Sequence, residues 1–203
     1  MASRRARLIE ACTELMGVAG VAGISMRSVC REAALTERYF YESFTNIDQL
    51  MITVLEIVVL DARGALLSAL ATAQTSTPDL VRLGVDAFTD YLMTDPRRGR
   101  IMFIESQVSP VLATRAIALI EQFVGPIVRS IGVRNIAATE HDAVDVRLNA
   151  VAIFGALAFL YRRRVTEGPA VDRERFAEHA AQVIEPIALA RSSRIGSGAE
   201  RDR

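Results

Sequence analysis

The sequence predicts an all-α fold of about nine helices, an N-terminal three-helix unit followed by a larger helical bundle. Three observations carry this expectation. The chain is 51% apolar but only 6% aromatic, with Ala, Leu, Val and Ile dominating, which suits helices packed on helices better than β-branched and aromatic strands. Apolar residues recur at helical spacing along most of its length, and no stretch alternates with the period of two that a strand requires. Gly, Pro, Ser, Thr, Asn and Asp fall where the periodic stretches start and stop.

Leu8, Ala11, Cys12, Leu15 and Met16 share one face, so a first helix is expected from about Ser3 to Met16, with Gly17 ending it. Gly17 to Gly23 holds three glycines, and Ser25 then caps a second helix whose apolar positions are Met26, Val29, Cys30 and Ala33. Thr36 caps a short third helix, Glu37 to Phe44, in which Phe40 and Phe44 stand at i and i+4. Asn46 caps a long fourth helix through Leu50, Val54, Ile57, Leu60, Ala65 and Leu70, broken at Gln74 to Thr77.

Pro78 fits the first turn of a fifth helix, with Leu80, Leu83, Ala87, Phe88, Tyr91 and Leu92 on one face as far as Asp95. Pro96 to Gln107 forms the sixth helix and Pro110 to Ile131 the seventh, kinked at Pro126 and stopped by Gly132. Thr139 and Asp142 make a capping box for the eighth, which runs to Arg164, and Asp172 opens a ninth that fades near Ala190. Arg191 to Arg203 is polar and Gly/Ser-rich and is expected to be a disordered tail. The division is therefore residues 1–46, 47–190 and 191–203.

Cys12 and Cys30 lie inside helical patterns and match no metal spacing, so they read as small buried hydrophobes. The longest apolar run, Ala150 to Tyr161, is shorter than the roughly 20 residues a bilayer needs, and no secretory leader pattern opens the chain. A cytoplasmic protein with no membrane partner is expected. All 24 basic residues are arginine, and they balance 24 acids. Over residues 1–50 the balance is also one for one, so bulk charge lends no support to nucleic-acid binding.

Pattern does. A helix-turn-helix needs two short amphipathic helices, a tight turn and a second helix with a face free to enter the major groove. From Ser25 to Phe44 the buried set is Met26, Val29, Ala33, Leu35, Phe40 and Phe44. Thr36, Glu37, Arg38, Tyr39, Tyr41, Glu42 and Ser43 are left exposed. This segment resembles the N-terminal signature of the tetracycline-repressor (TetR) family: Arg27, Val29, Ala33, Leu35, Thr36, Phe40, Tyr41, Phe44, Asn46, Asp48 and Leu50 fill matching places, with Met26 a near fit. The later layout of long helices, with its Asp-Pro-Arg-Arg start of helix six, is also similar to that family.

The resemblance implies that Ser25, Arg27, Tyr41 and Asn46 help to hold phosphates of a double-stranded DNA operator while Glu37, Arg38, Tyr39 and Glu42 face base edges, with Thr36 at the same helix start. Arginine binds guanine bidentately and glutamate accepts from cytosine N4, so a mixed-sign reading helix is chemically reasonable. Ala34 departs from the family's turn glycine. Ile24, Glu37, Arg38, Ser43 and Ile47 also depart from its usual residues, which shifts phosphate binding toward Arg4, Arg5 and Arg7.

In the larger unit the resemblance places an effector cavity among helices five to eight, near Phe88, Tyr91, Met102, Phe103, Phe123 and Phe154, with Ser106, Gln107 and Asn149 able to orient a small-molecule effector of unknown identity. Taken one by one, the same residues read as ordinary core. Glu105 and Arg147 read as solvated surface charges, the alternative being a buried pair that recognises a polar ligand group. His141 and Asp145 have i, i+4 spacing but are explained by the helix dipole, so no metal or cofactor is expected. Gly155 and Phe159 on the apolar run, with Phe176, Ala180, Val183 and Ile187 of helix nine, resemble the four-helix interface of a two-fold dimer. A core helix of a monomer is the other reading. No Gly-rich phosphate loop, nucleophile motif or ligand-spaced His/Cys/acid cluster points to catalysis. The competing classes are a helical carrier or enzyme, and an activator of the same fold.

Overall fold

The computed structural model describes residues 3–71, 77–130, 140–168 and 170–189. Among the described residues the chain is all-α: α1 (Arg4–Val18), α2 (Met26–Glu32), α3 (Glu37–Tyr41), α4 (Ile47–Ala71), α5 (Thr77–Thr94), α6 (Pro96–Val108), α7 (Pro110–Ser130), α8 (Glu140–Glu167) and α9 (Arg173–Leu189). The Gln74 break, the Gly132 stop, the Thr139 cap and the tail at 191–203 lie outside the described residues, as do the side chains of Pro126, His141, Asp142, Asp145 and Arg147.

The helix starts follow from their capping residues. The Ser3 hydroxyl accepts the Ala6 N–H at 3.2 Å, and Ser25 forms a reciprocal box with Ser28. The Asn46 Oδ1 accepts the Gln49 N–H at 2.8 Å, Asp95 accepts the Arg97 N–H at 3.1 Å, and Asp172 accepts the Arg175 N–H at 2.8 Å. Each satisfies a donor that the first helical turn leaves unpaired. Thr36 occupies the cap position of α3 without a side-chain bond.

Two expectations about α1 and α4 need correction. Gly17 does not end α1, which runs on to Val18. α1 crosses α6 here so closely that a Cβ on residue 17 would overlap the Cβ and Cγ of Arg97. The chain turns at Gly20, whose φ is 83°. In α4 the buried positions are Leu50, Met51, Val54, Leu55, Val58, Val59, Ala62, Leu66 and Leu70, whereas Ile57 and Leu60 face outward. The helix is apolar on nearly every side because α5 and α7 both pack along it, and such a helix gives no single periodic stripe to read.

One core runs without interruption from Leu8, Cys12, Met16, Val29, Phe40 and Phe44 through Leu50 and Val54 to Phe88, Phe103, Leu112 and Tyr161. The N-terminal three helices are therefore seated on the bundle through the first turns of α4 rather than tethered to it. A second cluster joins Leu70, Val81 and Val85 to Ala177, Ala180 and Ile184. Cys12 and Cys30 are free and buried, and burial pushes the Cys12 thiol up to about 12. Among the described residues no single helix is long and apolar enough to cross a membrane.

Candidate nucleic-acid interface

The geometry of the helix-turn-helix starts at the turn. Ala34 has a φ of 49° and is the one non-glycine residue with positive φ among the described residues. The Leu35 N–H donates to the Cys30 carbonyl at 2.9 Å, closing the end of α2. From α1, the Arg7 guanidinium donates to the Ala33 and Ala34 carbonyls at 2.6 and 3.3 Å. Arg7 thereby clamps the turn, supplying donors to carbonyls that the end of α2 leaves open. Phe40 and Phe44 are both buried, their ring centroids 6.0 Å apart, and they fix the roll of α3.

That roll turns Thr36, Glu37, Arg38, Tyr41 and Glu42 outward, with Tyr39 half-buried. The Tyr41 ring meets Phe40 edge-on, yet the residue remains 61% exposed. The outward charges pair with each other: Arg38 with Glu42 at 3.1 Å, Arg27 with Glu37 at 3.4 Å, and Arg4 with Glu42 at 3.9 Å. Arg4 also lies over the Tyr39 ring, 3.9 Å from its centroid, and Arg5 lies 5.0 Å from that of Phe44. Thus α1, α2 and α3 bring Arg4, Arg27, Thr36, Glu37, Arg38, Tyr39, Tyr41 and Glu42 onto one surface. Ser25 and Asn46 stand at the starts of α2 and α4, where their side-chain oxygens accept the Ser28 and Gln49 N–H groups.

The neutrality of residues 1–50 does not extend to this surface. Glu10 and Glu14 point the other way and bind the Arg97 guanidinium of α6 at 3.0 and 2.7 Å. On the surface itself three arginines, Arg4, Arg27 and Arg38, stand against two acids, Glu37 and Glu42. Arg97 also binds Asp95 at 2.7 Å and holds its carboxyl below the ordinary range.

Of the residues assigned to an effector cavity, Phe88, Phe103 and Phe123 meet, with Phe88 centroids 6.3 and 6.0 Å from the other two. Tyr161 completes the group, stacked on Phe103 at 5.7 Å and edge-on to Phe88 at 5.2 Å, and Phe176 follows at 5.0 Å. Sequence periodicity missed the buried Thr89, whose hydroxyl bonds the Tyr161 hydroxyl and the Val85 carbonyl. Burial pushes the Tyr161 phenol up to about 12. Met102 is buried beside this group, and Ser106 is buried with its hydroxyl donating to the Met102 carbonyl at 2.6 Å. Gln107 is exposed and donates to the Ser106 hydroxyl at 3.3 Å. The Tyr91 hydroxyl donates to the Val58 carbonyl at 2.9 Å. Asn149 and Phe154 are half-buried on α8.

Glu105 is not a surface charge. It is 4% exposed, pairs with Arg100 at 2.9 Å and accepts the Val21 N–H at 2.8 Å. Its partners lie five and 84 positions away, and neither spacing belongs to helical periodicity.

The residues assigned to a dimer interface divide. Phe159 is 75% exposed and Val183 39%, while Gly155 and Ile187 are half-buried. Ala180 is fully buried within the chain's own second cluster and is not available to a partner. Phe176 is half-buried against Tyr161 and beneath Arg164. Val144, Leu148 and Val151 are exposed on the face of α8 that carries Phe159 and were not anticipated.

No protein-family model matches the chain. No curated protein matches it either. Solved structures do. The fatty acid degradation regulator FadR from Bacillus halodurans is 15% identical with a TM-score of 0.76, the match covering 91% of this chain and 95% of that one. The transcriptional regulator FadR from Bacillus subtilis, in complex with stearoyl-CoA, is 15% identical with a TM-score of 0.72, covering 91% and 97%. A TetR-like transcriptional regulator from Rhodococcus sp. RHA1 is 18% identical with a TM-score of 0.63, covering 93% and 94%. The chain has the fold of TetR-type transcription regulators.

Proposed function

We propose that this chain is a TetR-family transcriptional repressor that binds a pseudo-palindromic duplex operator as a homodimer, acts in the cytoplasm and is released by a small apolar or amphipathic effector. One observation carries the DNA-binding part: α3 is rolled by Phe40 and Phe44 so that Arg38, Tyr41 and Glu42 project together from the molecule. Arg38 is placed to bind guanine O6 and N7, and Glu42 to accept from cytosine N4. Arg27, Thr36, Tyr41 and the starts of α2 and α4 serve the phosphates.

Dimerisation is supported by the exposed stripe Val144, Leu148, Val151 and Phe159 along α8, with Val183 on α9. A two-fold pairing there removes apolar surface from water and presents two reading helices to successive turns of one DNA face. The effector is proposed to lie against the Phe88, Phe103, Phe123 and Tyr161 group. A long acyl chain belongs to the right class, since one structural neighbour is a stearoyl-CoA complex. Release then requires tighter binding to the DNA-incompetent state, with coupling of about 1 to 3 kcal/mol.

Selection from a random duplex pool tests the proposal. A two-fold-symmetric motif should emerge, its half-sites about one helical turn apart, and duplexes that carry it should be retarded by the protein in gels. A pool that never enriches at low salt contradicts DNA binding.

A further inference from the structure

α6 is not a uniform α-helix. Between Ile101 and Glu105 it widens into a π turn, and the Ser106 N–H donates to the Ile101 carbonyl, five residues back. An α-helical Ser106 would instead donate to Met102. The Ser106 hydroxyl takes that Met102 oxygen at 2.6 Å, so the carbonyl the wide turn would orphan has a partner.

The same turn sets the Arg100 and Glu105 pair. Their spacing is i, i+5, and in an α-helix such residues sit about 140° apart around the axis, out of reach of the i+3 and i+4 neighbour positions. The wide turn brings them to 2.9 Å. Together they grip the connection between α1 and α2: Glu105 accepts the Val21 N–H at 2.8 Å and Arg100 donates to the Val18 carbonyl at 2.9 Å. Gly20 has positive φ and passes so close that a Cβ there would stand 3.1 and 3.2 Å from the two Glu105 carboxylate oxygens. On its other side the turn carries Met102 and Phe103, and Phe103 is stacked on Tyr161.

We propose that the π turn of α6 and the grip of Arg100 and Glu105 on the α1–α2 connection form one two-state element that couples the bundle's aromatic centre to the N-terminal helices. Reverting the turn to the α register rotates one side of α6 by about 100° relative to the other, which separates Arg100 from Glu105 and frees Val21. Glu105 and Ser106 are positioning residues in this element. Its regulatory meaning rests on the DNA-binding and effector reading above, but the coupling itself is testable without DNA or effector.

Coupling between two segments is reciprocal, which sets the experiment: hydrogen exchange followed by mass spectrometry on the full chain. Ser106→Ala removes the hydroxyl that steadies the wide turn and touches nothing in the N-terminal helices. It should speed exchange in a peptide covering residues 18–24 by about tenfold or more. Gly20→Ala crowds Glu105 from the other side and should speed exchange in residues 101–108 by a similar factor, with α9 unchanged in both variants. Variants that loosen only their own segment overturn the inference, and Ser106→Ala decides it alone if Gly20→Ala does not fold. Either overturning result leaves the DNA-selection experiment unaffected, so the two proposals fail separately.

Discussion

Arginine–carboxylate pairs lie both where the N-terminal three helices meet α6 and where they face solvent, and the two sets differ in how far their arginines are buried. Toward α6, Arg97 gathers Asp95, Glu10 and Glu14, and Arg100 binds a Glu105 that is nearly sealed from water. Toward solvent, Arg27 pairs with Glu37 and Arg38 with Glu42, the two arginine side chains being 85% and 84% exposed. An exposed pair of this kind contributes about 0 to 1 kcal/mol and rearranges freely. A buried one cannot lose a partner without stranding a charge. The same chemistry thus fixes the N-terminal helices where they meet α6 and leaves Arg27 and Arg38 free to exchange partners where they face solvent.

Breaking the buried side should give the largest effect. Arg100→Met strands Glu105 and is expected to destabilise the fold by about 2 to 4 kcal/mol in urea titration, whereas Arg38→Met should stay within about 0.5 kcal/mol. Equal losses would erase the distinction. Next comes Gly17→Ala, which forces α1 away from Arg97 and should cost about 1 to 3 kcal/mol through overpacking. An unchanged midpoint would mean the α1–α6 approach is loose.

Ala34→Gly sharpens the comparison from the exposed side. Relieving the left-handed alanine should stabilise by about 1 kcal/mol without altering affinity for the selected duplex, because residue 34 sits in the turn and outside the set of residues proposed to contact DNA. The smallest effect is at Asp95. Arg97 depresses its folded pKa, so its contribution is fully present above the unfolded value near about 3.9 and is lost as pH falls through the lower folded value. Asp95→Asn keeps the capping oxygen but not the charge. Its stability should fall less than wild type between pH 6 and pH 3, by under about 1 kcal/mol, in thermal melts across that range.

The solvent-facing side of the N-terminal helices was far more legible in the sequence than the side against α6. Ser25, Asn46, Phe40 and Phe44 act within a few residues of one another, and local spacing records such relations. Ala34 announced its left-handed turn because a glycine was due there. The Glu105 contact with Val21 spans 84 positions, and its pairing with Arg100 depends on a turn of α6 that no periodicity of 3.6 can show. Gly17 looked like a helix stop because a close crossing with Arg97 leaves the same residue type behind. Ala180 and the outer face of α4 were misjudged for a related reason: a helix apolar on several sides does not say which neighbour covers which face.

The most direct measurement of the central claim compares stability and binding in one variant. Arg38→Ala should leave the urea midpoint within about 0.5 kcal/mol of wild type while weakening the selected duplex by about 5- to 150-fold and relaxing preference at one base pair. Unchanged affinity with a folded protein would contradict the assignment of α3 as the reading helix.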